Sequence, residues 1–184
     1  SLVTDMSELF KDKADFNVNI SAWDTSQVTT MYKMFWEATA FNQPIGTWST
    51  SKVTNMEHVF YGATVFDQDI GSWDTSQVTS LHQMFNRAIS FNQDIGSWDT
   101  SKNRNLCRTF QKAFAFNQDI GNWDTSKVTD MAGIFNEARV FNQDIGNWDL
   151  SLNTRQVSMF EKAYAFHQDI TGWSNASETN SWGT

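Results

Sequence analysis

The fold class this sequence predicts is an α/β repeat solenoid, with one short helix and one short parallel strand in each 25-residue unit and about seven units. Three observations predict it. The first is the period. Trp23, Trp48, Trp73, Trp98, Trp123, Trp148 and Trp173 are spaced by 25, as are Ile20, Ile45, Ile70, Ile95, Ile120, Ile145 and Ile170. A Phe column runs from Phe10 to Phe160 and an Ala column from Ala38 to Ala163. A unit this short cannot bury its apolar face alone, so units stack and share a core.

The second observation is a helical spacing. "VTDMAGIFNEA" (128–138) carries Val128, Met131, Ile134, Phe135 and Ala138 at steps of 3, 3, 1 and 3, one face of a short helix. Thr129, followed by Asp130, reads as its N-cap. The third is an extended segment. "FNQDIGNWD" (141–149) puts Phe141 and Ile145 on one face of a strand, and Gly146 permits a bend that turns Trp148 inward. "DTS" after the Trp is a polar turn. Strand-joined coils lie about 4.8 Å apart. Helices need about 8–10 Å. The stack is therefore expected to curve, with the sheet on its concave side. Residues 1–173 form one repeat domain and 174–184 a polar tail.

Composition limits the function classes. The net charge is −8 and the sequence pI about 4.7, which argues against nucleic-acid binding on a basic face. No apolar run approaches the roughly 20 residues of a membrane span, so no direct membrane insertion is expected. Cys107, the one cysteine, excludes an intrachain disulfide framework. The opening "SLVTDMSELF" matches the middle of the repeat. An uncapped end of this kind exposes core, and a neighbouring subunit or flanking repeats are expected to cover it.

The motifs "FNQDIGSWDTSK" (91–102) and "VTTMYKMFWEA" (28–38) resemble the BspA-like surface-protein repeat, a 25-residue relative of leucine-rich repeats, over residues 1–173. The resemblance implies an adhesion or protein-interaction surface, found mainly on bacterial surface proteins, with no catalytic residues to carry over. The match lapses where Pro44 replaces Asp, where Asn103 and Asn153 replace Val, and where Gln156 ends the Met column.

The repeated polar columns have structural readings. Gln43 to Gln168 are expected to hydrogen-bond along the stack. Asp69 to Asp169 are either solvated and capping backbone N–H groups or a row of weak calcium sites, which need six to eight oxygens. The Thr25 column suits turn chemistry, and the Trp column suits core packing better than sugar stacking. His82 and Cys107 share a column, but no orienting group or oxyanion hole accompanies them, so no enzyme activity and no cofactor is expected.

A specific partner would be read where units differ, in the slots flanking the Ala column. Trp36 and Tyr61 hold a slot that is otherwise Asn86, Gln111, Asn136 and Glu161. Arg87, Arg104, Arg108, Arg139 and Arg155 add positive charge to an acidic chain. These seven residues are the candidate contacts for a protein partner. The expected function is a non-enzymatic binding or adhesion scaffold, extracellular or on a cell surface, or else a structural subunit of a larger multiprotein assembly.

Overall fold

The computed structural model describes residues 2–173. Each 25-residue unit is one coil laid on the last, and bonds between residues 24 to 28 apart join neighbours along the whole stack. Coils 1 to 7 are counted here as 1–25, 26–50, 51–75, 76–100, 101–125, 126–150 and 151–173.

The expected helix and strand are not present. Among the described residues there is no helix and no extended strand, only isolated parallel bridges linking Asp5, Thr30 and Asn55, and linking Ser80, Asn105, Asp130 and Arg155. The α/β, leucine-rich-repeat-like architecture is thereby corrected. Coil 6 shows why. The N–H groups of Met131, Gly133, Phe135 and Glu137 donate to the carbonyls of Arg155, Val157, Met159 and Glu161 in the next coil, at 2.7–2.9 Å. The alternate groups, of Ile134, Asn136 and Ala138, donate within the coil to Met131, Gly133 and Phe135, three residues back. A helix would spend every one of these donors internally. The segment is instead a chain of β-turns, with positive φ at the third residue of two of them, Gly133 (62°) and Glu137 (59°).

The turns repeat in every coil, their bonds to the next coil recur in coils 1 to 6, and we call the side that carries them the turn edge. Its left-handed residues are mostly polar non-glycines, such as Lys33, His58, Gln83, Arg87, Arg108 and Lys112. Each costs roughly 1 kcal/mol or more by itself, and the inter-coil bonds hold it in place. Turns with a step of three or four still bury Val128, Met131, Ile134, Phe135 and Ala138, so the predicted apolar face is right although the backbone is not helical. Thr129 caps no helix: its Oγ1 donates to the Arg104 carbonyl at 3.2 Å.

On the Phe141–Asp149 side, mainly side chains join the coils, where a strand was expected. The Asn142 N–H donates to Asn117 Oδ1 at 2.8 Å, and Gln143 Nε2 to the Asn117 carbonyl at 2.9 Å. The Gln column thus bonds along the stack, not to other Gln but to the Asn of the preceding coil, or to Asp67 in the case of Gln93. With neither helix nor sheet among the described residues, the width mismatch behind the expected curvature also disappears.

The core is a set of aromatic ladders. Phe110 stacks 5.7 Å from Phe85 and 5.8 Å from Phe135, and 4.0 Å from Phe116 in its own coil. The rings are fully buried, each worth roughly 1.5–3 kcal/mol of apolar transfer. Trp48 to Trp173 are buried as well, in keeping with core packing. Thr25, Thr50, Thr75, Thr100 and Thr125 are buried beside them, each hydroxyl donating to a carbonyl of the next coil at 3.0–3.1 Å. The polar tail 174–184, with its Trp182, lies outside the described residues.

Candidate interaction surface on the turn edge

The expected polar columns are occupied structurally. Asp94, Asp119 and Asp144 each accept the N–H two residues on at 2.9 Å, and among the described residues no three His, Cys, Asp or Glu side chains gather as a metal ion needs. In the second Asp column the Ser76, Ser101 and Ser126 hydroxyls, then their N–H groups, hold the Asp74, Asp99 and Asp124 carboxyls below the usual carboxylate range. Cys107 is buried, and burial pushes its thiol up, away from reactive thiolate. The ring nitrogens of neighbouring His82 face Gln83 at 2.7 Å and Asn105 at 3.4 Å.

The turn edge is where the coils differ. In the slot singled out from sequence, Trp36 stacks on Tyr61 at 3.9 Å with planes 6° apart. The slot then becomes an amide ladder: Asn86 Nδ2 donates to Gln111 Oε1 at 3.0 Å, Gln111 Nε2 to Asn136 Oδ1 at 3.1 Å, and Asn136 Nδ2 to Glu161 Oε2 at 3.0 Å. It is not uniformly solvent-facing, since Asn86 and Asn136 are buried. Beside it, Lys33 Nζ sits 4.9 Å from the centroids of both Tyr32 and Trp36. His58 lies 5.1 Å from Trp36 and 4.8 Å from His82, ring to ring. Its Nδ1 is buried without a partner. Desolvation first, then the charges of His82 and Lys33, lower its pKa to about 4.

From Tyr61 the edge opens into a groove of 590 Å³ whose lining includes Arg87, Arg108, Lys112 and Phe114. Arg87 pairs with Glu37 at 3.4 Å and Lys112 with Glu137 at 3.5 Å. Arg139 places its guanidinium 4.4 Å over the Phe114 ring, a contact worth roughly 0.5–1 kcal/mol. The structure therefore brings together five of the seven sequence candidates: Trp36, Tyr61, Arg87, Arg108 and, through Phe114, Arg139. The remaining two stand apart. Arg155 pairs with Asp130 at 2.7 Å on the bridge column, and Arg104 is exposed in the neighbouring column. Lys33 and His58 escaped the sequence reading, whereas Lys112 and Phe114 flank Ala113 in "QKAFA" (111–115), one of the variable segments where a partner was expected to be read.

No curated protein and no solved structure matches the chain. A family model matches residues 1–94 and 67–173, two overlapping stretches that span the repeat region. The chain belongs to the family described as Mycoplasma protein of unknown function, DUF285.

Proposed function

We propose that this chain is a non-enzymatic protein-binding scaffold displayed at a cell surface, and that the turn edge is its working surface. The observation that carries this reading is a division of labour. The Phe, Ile and Trp columns scarcely change from coil to coil, while the turn edge passes from Trp36 and Tyr61 to a cationic groove and then to amides. Aromatic and Ile columns that stay constant beside an edge that varies suit a repeat protein that reads a partner along its stack. The resemblance to BspA-like repeats, which implies adhesion, supports the same reading.

A photo-cross-linking residue placed at Lys33 or at Asp94 tests it on intact cells or their surface proteins. The expected result is partner proteins cross-linked from Lys33 and not from Asp94. Equal cross-linking from both positions, or none from Lys33, overturns it. A second reading, a structural subunit of a larger assembly, is supported by apolar side chains exposed along the side of the stack, Val65, Ile89 and Val140, at 43%, 39% and 44%. Light scattering separates the two: a monomer at all concentrations favours the scaffold, and concentration-dependent association favours the subunit.

A further inference from the structure

Three cations crowd two adjacent coils of a chain whose net charge is −8. Arg87 and Lys112 hold the same slot in coils 4 and 5, and they lean apart. Arg87 reaches back to Glu37 in coil 2, whose carboxylate lies over Gly62 in the space a side chain there would fill. Lys112 leans forward to Glu137 in coil 6. Arg108 also leans forward, its Cγ 3.3 Å from where a Cβ on Gly133 would stand. It makes no ion pair among the described residues. The groove lies in the gap these three leave, and Tyr61, Ile89 and Phe114 contribute its apolar walls.

We propose that this groove takes an acidic peptide segment of a protein partner, with its carboxylates on Arg87, Arg108 and Lys112 and its apolar side chains against Tyr61, Ile89 and Phe114. The proposal deepens the turn-edge reading and rests on it. Arg108 offers an unspent guanidinium fork, the geometry that grips a carboxylate through two bonds. The Arg87 and Lys112 pairs are long, single and solvent-exposed, so an incoming carboxylate displaces them at little cost. The floor amides offer few donors, because Asn86 Nδ2 is shared between Gln83 and Gln111, and Gln111 Nε2 goes to Asn136. A neutral sugar, which needs donors and acceptors together, is poorly served there. The volume of 590 Å³ suits a short stretch of chain.

The test is fluorescence anisotropy of a short fluorescein-labelled peptide of alternating glutamate and leucine, titrated with the full chain at low salt. Saturable binding is expected, weakened about tenfold or more by Arg108→Glu and less by Lys112→Gln. Glu8, Glu37 and Glu137 already occupy left-handed positions of the turn edge, so the Arg108→Glu protein is expected to fold, with an unchanged circular dichroism spectrum. Lys52→Glu makes the same charge change away from the groove and should leave binding intact. No saturable binding, or equal loss in Lys52→Glu, overturns the proposal. Displacement by inorganic phosphate or a sulfated disaccharide at lower concentration than by unlabelled peptide also overturns it, in favour of those anions. An Arg108→Glu protein that cross-links its partners through the turn edge and binds the peptide like wild type overturns the groove assignment alone.

Discussion

The indole N–H of Trp123 donates to the carbonyl of Ile95, 28 residues earlier, at 3.1 Å. The same bond joins Trp98 to Ile70 and Trp148 to Ile120. This is why the column is Trp and not merely aromatic. The ring fills the core while its one polar atom ties a coil to its predecessor. Trp123→Phe is expected to cost about 1–3 kcal/mol from the lost bond and the residual cavity. At roughly 2–4 °C per kcal/mol for a chain of this size, calorimetry reads it as a lower Tm. Trp23, partly exposed on the outer face of coil 1, is the internal control: Trp23→Phe should shift Tm far less.

Gly121 sits where its coil meets the next. A Cβ there would stand 2.6 Å from the Asp144 carbonyl oxygen, a backbone atom that cannot swing aside. Gly121→Ala must part coils 5 and 6 locally and should destabilise by about 1–3 kcal/mol. Among the described residues a Cβ at Gly172 meets nothing closer than 3.9 Å, so Gly172→Ala should be neutral. Denaturant titration of the pair separates close approach from any general effect of glycine replacement.

Asn153 is buried in a slot held by Val28, Val53, Val78 and Val128 in four other coils and by Asn103 in coil 5. Its Oδ1 accepts the Arg155 N–H at 3.1 Å, but its Nδ2 is buried with no partner. An unpaired buried donor costs about 1–3 kcal/mol, while a net hydrogen bond returns only about 1 kcal/mol. Asn153→Val is therefore expected to raise the denaturation midpoint.

His58 makes stability depend on pH. Its pKa falls from 6.5 to about 4 in the fold, so the folded state resists a proton that the unfolded chain accepts. Stability should be full above pH 6.5, decline as pH falls from 6.5 to about 4, and level off below that as far as this residue is concerned. The lowered carboxyls of Asp74, Asp99 and Asp124 lose their contribution as pH falls through their ordinary value of 3.8 and below, so their window adjoins the acid end of the His58 decline. His58→Asn keeps a residue that tolerates positive φ, and should flatten the decline in a series of thermal melts across that range.

By itself the sequence determined the period, the stacking and the inward residues. An unbroken 25-residue spacing admits only units that share a core, and Phe, Ile, Trp, Met and Ala are buried along their columns, except in the end coils, where Phe10, Phe16, Phe166 and Ile170 are partly buried and Trp23 is exposed. It marked Trp36, Tyr61, Arg87 and Arg108 by their departure from the columns around them. The tertiary structure alone decided how the backbone runs. Steps of three and four are shared by a helix and by linked β-turns, and left-handed turn positions are ordinarily marked by Gly or Asn. Here they are filled by Lys, Glu, Gln and Arg, held there by alternate N–H groups that bond to the next coil rather than to their own. Those bonds join residues 24 apart, so no local pattern could show them. The direction in which each cation leans, and hence the groove between Arg87 and Lys112, follows from the same stacking.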